Sequence, residues 1–176
     1  VEKEIDSGQI KTGGVEFRVN QLIHEYKIKK DDIYFTSGGS EADSWATHNR
    51  VVMASAFEHH AIVPDRYYSN INKLGFVGLS KLEQSINSVC TQRTHPLDMF
   101  SCMYVNNELG TIQNVKLMSI ISHNNGLLFH TDAVQAFGHI HIDVEELGID
   151  LMSASGHKVS SVLKGVGFLY KREEIE

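Results

Sequence analysis

Short apolar runs of strand length alternate along the chain with segments whose apolar residues recur at helical spacing. Val15, Val19, Leu22, Ile23 and Tyr26 mark a helix from Val15 to Tyr26. A short strand, Asp32 to Thr36, then runs into a glycine turn, Ser37-Gly38-Gly39-Ser40, and a helix-compatible stretch from Glu41 to Thr47. Val51 to Ala54 reads as a strand, Leu79 to Val89 as a helix and Met99 to Val105 as a buried strand. A helix through Val115 to His123 is closed by Asn124-Asn125-Gly126, a good helix stop because glycine takes up the left-handed conformation that ends many helices. Leu127 to Asp132, Asp150 to Ala154 and Gly167 to Tyr170 complete the strand candidates.

Strands that alternate with helices predict an α/β fold, a mainly parallel sheet with helices on both faces. In such sheets ligands sit beyond the carboxyl ends of the strands. Four polar clusters fall at such ends: Ser37 to Ser40, Asn106-Asn107-Glu108, Asp132 to Gln135 and Ser155 to Lys158. Together they predict one shared pocket.

Composition narrows the function classes. The 176 residues suit one domain, and 41 % of them are hydrophobic, enough for an ordinary core. A net charge of −6 with both signs interspersed argues against a nucleic-acid or anionic-membrane surface, since both need a basic face. No apolar run reaches the roughly 18 residues of a membrane span, and the opening VEKEIDSGQI is not a signal peptide. Cys90 and Cys102 have neither CxxC nor metal-type spacing, so a reducing, cytoplasmic setting is expected and no metal site is. His139 and His141 lack a third ligand and read as surface residues, and adjacent His59 and His60 point in different directions.

Each polar cluster has a functional and a plainer reading. Lys158, just past a buried strand and beside Gly156 and His157, could form a Schiff base with an aldehyde cofactor, or be a surface lysine. Asp132 ends a strong apolar strand, where a carboxylate is costly unless it meets a positive charge such as a protonated pyridine nitrogen; it could also be a helix N-cap. Gln135 could reach a ring's phenolic oxygen or be solvated. Gly39 and Ser40, at a strand-to-helix turn, could let backbone amides approach an anion, although many such turns look alike. His59 could stack on a planar cofactor and exchange protons with substrate. Asn106-Asn107-Glu108 could equally be a plain turn.

Five stretches in order, FTSGGSEAD (35–43), SAFEHHAIV (55–63), YVNNELGTIQ (104–113), LLFHTDAVQAFGHIHIDVEELGIDLMSASGHK (127–158) and GVGFLYKRE (165–173), resemble the cysteine desulfurases of the class-V aminotransferase group. The spacings from Asn107 to Asp132 and from Asp132 to Lys158 match that family without gaps. The resemblance implies the large domain of a fold-type I pyridoxal 5'-phosphate (PLP) enzyme. Lys158 would hold PLP, Asp132 would pair with its ring nitrogen, and His59 would stack on the ring and move protons. Gln135 and Asn107 would lie around the phenolic oxygen and substrate. Gly39, Ser40, Ser155 and His157 would hold the phosphate, and Gly156 would allow close approach.

The implied reaction takes sulfur from L-cysteine, giving alanine and an enzyme persulfide for iron–sulfur cluster or thio-cofactor assembly. A homodimer and a sulfur-acceptor or scaffold protein would be its partners. A selenocysteine lyase or another class-V activity shares these PLP residues, and a non-catalytic PLP-fold fragment is a further alternative. On this reading residues 1–176 form most of one PLP-binding domain of a longer protein. The small C-terminal domain and the sulfur-accepting cysteine lie outside the chain, which alone would be inactive. The stretch from Glu41 to His59 is about nine residues shorter than the family's, predicting a cramped crossover helix. Val159 to Lys164 replaces the family's glycine-proline turn, and the opening VEKEIDSGQIKTGG has no counterpart.

Overall fold

A computed structural model describes residues 28–62, 67–92, 96–159 and 165–175. The helix expected over Val15 to Tyr26, the opening segment and residues 160–164 lie outside them. Seven strands form one sheet: β1 Ile33–Thr36, β2 Val52–Ser55, β3 Tyr67–Ser69, β4 Met99–Ser101, β5 Leu128–Asp132, β6 Leu151–Ser155 and β7 Gly167–Lys171. Their order is β1-β7-β6-β5-β4-β2-β3. Pairing is parallel from β6 through β5, β4 and β2 to β3, and only β7 runs against both neighbours. The expected mainly parallel sheet is therefore present.

The described helices are α1 Gly39–Thr47, α2 Leu79–Gln92, α3 Val115–Asn124 and two single turns, α4 Val144–Leu147 and α5 Gly156–Val159. Side chains alternate across each strand, so the sheet divides its apolar residues between two layers. Val52, Met99, Leu151 and Leu169 pack with Ala42 and Ala46 of α1 on one face. Met53, Phe100, Phe129 and Met152 pack on the other with Leu82 and Ile86 of α2 and Met118 of α3. Helices thus cover both faces. The crossover from β1, at one edge, to β2, next to the other, is made by the nine residues of α1, and its two alanines let it lie close on β6 and β7. That helix is the short crossover the sequence predicts.

Strand β4 stops at Ser101, earlier than the expected Val105. Single hydrogen bonds to β5 continue past it, Cys102 N–H to His130 C=O (3.1 Å) and Tyr104 N–H to Asp132 C=O (2.9 Å). Strand β3 and the single turns α4 and α5 carry too little periodicity to be read beforehand. Asp143 caps α4 by accepting from Glu146 N–H at 3.0 Å, and Gly148 ends it with φ 66°. Asp150 ties the lower end of the sheet together. Its carboxylate accepts from Phe129 N–H and from His123 Nε2, both at 2.7 Å, and from the Arg172 guanidinium.

Candidate cofactor-binding site

The carboxyl ends of β1, β5 and β6 meet at one point. A Cβ built on Gly39, in the first turn of α1, would lie 2.5 Å from Val134 Cγ2 and 3.6 Å from Ser155 Cβ. Gly167 is wedged as tightly on the other side, since a Cβ there would lie 2.7 Å from Gly38 Cα and 2.8 Å from Ala154 O. These contacts bring Gly39 and Ser40, the turn after Asp132, and Ser155 with the α5 turn into one place. Three of the four predicted clusters are joined directly.

The helix start leaves its first amides without side-chain caps. Gly38 is extended at the N-cap and has no side chain to cap α1. The first intrahelical bond is Ala42 N–H to Gly38 C=O at 3.2 Å, so the Gly39 and Ser40 amides have no acceptor within the helix. Glu41 turns back to accept from Ser37 N–H (2.6 Å) and Ser37 Oγ–H (2.7 Å), which lowers its proton affinity.

Asp132 is buried, 2 % exposed, at the end of β5. Its Oδ1 accepts Val134 N–H at 2.8 Å, so it shapes the turn that follows, and no helix begins there for it to cap. Among the described residues no basic side chain forms an ion pair with it, and burial raises its pKa. A buried carboxylate without a cation is poised to receive one.

Glu58 enters the same region from the loop after β2. Its carboxylate accepts from Ser55 Oγ, Met103 N–H (2.6 Å) and Ser101 Oγ (3.4 Å), and burial pushes its pKa up to about 7. Beside it His59 is half-buried, its Nδ1 accepts Ala61 N–H at 3.2 Å, and its ring lies 4.0 Å from that of His60. Burial, helped by His60, lowers the His59 pKa, so the ring is a neutral base at neutral pH.

In the neighbouring turn the two asparagines divide the work. Asn106 is buried; its Oδ1 accepts from Glu108 N–H (3.0 Å) and Leu109 N–H (2.8 Å), and its Nδ2 donates to Phe57 C=O (3.2 Å). It therefore pins this turn to the Glu58 loop and leaves Asn107 exposed. In the α5 turn His157 Nδ1 sits 2.7 Å from Ser155 Oγ, and His139 Nε2 sits 3.2 Å from the Lys158 carbonyl oxygen. Lys158 is exposed and Gln135 half-buried. Cys102 is buried and Cys90 exposed.

Sequence reading misses a second layer under these groups. His130, Ser101, Ser153 and Asp43 are all buried between α1 and the sheet. His130 shares the face of Asp132, two residues on, and that alternation was the available signal. Asp43 gave none, because a lone aspartate in a short helix usually faces water. Among the described residues no group of three metal-binding side chains occurs and no helix is long and apolar enough to cross a membrane.

Comparison with known proteins settles the lineage. The aminotransferase class-V family model matches residues 13–176. The chain belongs to the class-V aminotransferase family. It is 36 % identical to the cysteine desulfurase IscS of Methanosarcina thermophila, over 84 % of this chain and 39 % of that protein. Identity to the cysteine desulfurase IscS of Clostridium botulinum is 35 %, over 90 % and 42 %. Among solved structures, a NifS-like protein from Rickettsia africae superposes with a TM-score of 0.73 at 27 % identity, covering 92 % of this chain and 49 % of that one. SspA in complex with cysteine gives 0.73 at 25 %, covering 94 % and 53 %. This class-V chain thus spans about two fifths of the length of the curated relatives it matches.

Proposed function

We propose that this chain is most of the PLP-binding domain of a cytoplasmic cysteine desulfurase, which acts on L-cysteine as a homodimer and passes sulfur to an acceptor or scaffold protein in iron–sulfur cluster assembly. One observation carries the reading. An uncapped helix start lies within van der Waals reach of Val134, two residues past a buried carboxylate without a cation, and of Ser155, which leads into the turn bearing His157 and Lys158. A phosphate fits the first, a protonated ring nitrogen fits the second, and an aldehyde fits a lysine beside them.

On this reading Gly39 and Ser40 hold the phosphate through their amides, with Ser155 and His157 beside them and Gly156 allowing close approach. Asp132 keeps the ring nitrogen protonated. His59 covers the ring and, as a neutral base, moves a proton at the substrate. Gln135 and Asn107 orient the phenolic oxygen and substrate, and the Lys158 amine anchors the aldehyde carbon. Bound there, PLP supplies an electron sink for the pair released when a bond at the substrate α-carbon breaks. The cysteine desulfurases among the relatives and the structure of a neighbour holding cysteine support the substrate.

Borohydride reduction of the purified parent protein followed by peptide mapping tests the assignment. A pyridoxyl group on Lys158, lost in Lys158→Ala, is expected. A label on another lysine, or none, sinks it.

A further inference from the structure

Strand β2 leaves the sheet at Ser55, while the chain after β4 goes on bonding to β5. Along a strand, alternate N–H groups face opposite neighbours. Cys102 and Tyr104 donate to β5, at 3.1 and 2.9 Å, so the Met103 N–H between them faces the β2 side. The Met99 N–H faces the same way and lies 3.4 Å from Val51 C=O. By Met103, however, β2 has ended and offers no ladder carbonyl. The Glu58 carboxylate takes that place, its Oε1 accepting Met103 N–H at 2.6 Å and the Ser55 hydroxyl as well.

This contact fixes the loop just ahead of His59. Phe57 is held from the same side, because Asn106 Nδ2 donates to its carbonyl at 3.2 Å. The orientation of that amide is settled, since Asn106 Oδ1 already accepts two backbone N–H groups. Past His59, its carbonyl accepts Ile62 N–H at 2.9 Å and its Nδ1 accepts Ala61 N–H at 3.2 Å. Backbone N–H groups can only donate, so the direction of each of these bonds is fixed. Among the described residues no cation forms an ion pair with Glu58. What its side chain supplies is an acceptor at the right reach.

We propose that Glu58 is a positioning residue for His59, its carboxylate standing in for the strand carbonyl that β2 no longer provides and so holding the His59 ring at the proposed pocket. The inference rests on the reading of His59 given above. It requires an acceptor at this distance rather than a charge. Glutamine keeps the acceptor at the same reach. Aspartate keeps the charge but is shorter by one carbon–carbon bond, about 1.5 Å. The Met103 contact can then be remade only by drawing the loop, and His59 with it, toward β4.

The test is turnover of the parent enzyme with L-cysteine, read as kcat and KM, beside NMR of the same protein. Glu58→Gln should turn over close to the wild-type rate. Glu58→Asp should lose about 100-fold in kcat, the usual cost of displacing a group by about 1 Å, with KM and PLP content little changed. In a His59→Ala background Glu58→Asp should cost nothing more, because a residue that acts through His59 has nothing left to position. Glu58→Met, which fills the same space without an acceptor, serves in its place if Glu58→Asp fails to fold. With nitrogen-15 methionine labelling, with and without PLP, the Met103 amide is assigned by its loss in Met103→Leu. It should lie far downfield and exchange slowly with solvent in the wild type and in Glu58→Gln, and move upfield in Glu58→Asp. A freely exchanging Met103 amide in the wild type, equal losses in Glu58→Gln and Glu58→Asp, or a further loss from Glu58→Asp without His59 would each overturn the proposal. Normal turnover of His59→Ala would overturn the reading of His59 and this proposal with it. Normal turnover of Glu58→Asp beside a crippled His59→Ala would overturn this proposal alone.

Discussion

Gly39 stands so close to Val134 that a single methyl group on it would sit 2.5 Å from Val134 Cγ2. This contact sets how far the start of α1 can approach the turn after Asp132. A larger residue would push the helix amides away from the end of β5. Gly167 sets the matching distance on the other side, where its neighbours are the backbone atoms Gly38 Cα and Ala154 O.

The two glycines should therefore differ in tolerance. Val134 ends in a methyl that can give way, so Gly39→Ala should cost about 1–2 kcal/mol, the usual range of mild overpacking. Val134→Ala in the same chain should recover most of that loss. Gly167→Ala meets backbone that cannot move and should cost more, with no rescue by Val134→Ala. Urea unfolding of the two single and two double variants checks the order, and equal costs would contradict it.

Asp132 is expected to separate folding from chemistry. Asparagine keeps the oxygen that accepts Val134 N–H, so Asp132→Asn should unfold at nearly the wild-type temperature. Turnover of the parent enzyme should nevertheless fall by at least about 100-fold, typical of losing one electrostatic group at a reacting centre. A variant with normal turnover would reduce Asp132 to a turn-forming residue.

Much of this layout is legible in the sequence because its strands are buried on both faces and so read as apolar runs. Leu128 to Asp132 and Leu151 to Ser155 stand out for that reason, and the polar residues that follow them mark the pocket end. Tyr67 to Ser69 does not stand out, since an edge strand of three residues has room for hardly one period of alternation. The reversed direction of β7 is equally hidden, because an apolar strand looks the same either way. At the site the second layer escapes. Asn106 looks no different from Asn107 in sequence, yet burial makes it the anchor of the turn. Asp43 becomes visible only when Ala42 and Ala46 are seen to press α1 onto the sheet.

Asp150 offers a test of stability away from the pocket. It is 2 % exposed and accepts from Phe129 N–H, His123 and Arg172 at once. Asp150→Ala would leave the Phe129 amide without its acceptor and Arg172 without its counter-charge. A loss of about 3 kcal/mol is expected, as for breaking one side of a buried ion pair. Chemical denaturation measures it, and a loss within experimental error would show that the clamp adds nothing.

The pH dependence of stability should carry two opposed contributions. His130 titrates near 3 in the fold against 6.5 when unfolded. The unfolded chain therefore binds more protons between those values, and stability rises with pH there. Glu58 titrates near 7 in the fold against 4.5 unfolded, so the folded chain binds more protons and stability falls as pH rises through that window. Glu58→Gln removes only the second effect. Relative to wild type the variant should gain stability steadily between pH 4.5 and about 7. A difference that stays constant across that window would refute the raised affinity of Glu58.

The last prediction concerns sulfur. The 176-residue chain, supplied with PLP, L-cysteine and a reductant, should form no persulfide on Cys90 or Cys102. Taking sulfur from a substrate requires a thiolate that is accessible and close to the reacting atoms. Cys102 is fully buried, and burial together with the Glu58 charge raises its thiol pKa well above normal, so it is held as an inert thiol. Cys90 is exposed but lies near the end of α2, which returns the chain from β3 to β4 and so finishes at the amino end of the sheet. The proposed pocket is at the opposite end, and α2 packs on the face away from α1. Neither sulfur can reach it without unfolding an element of the core. Mass spectrometry of the chain after incubation with cysteine checks this directly. Persulfide on either residue, abolished by Cys90→Ser or Cys102→Ser, would show that the thiol is delivered by a motion this packing forbids.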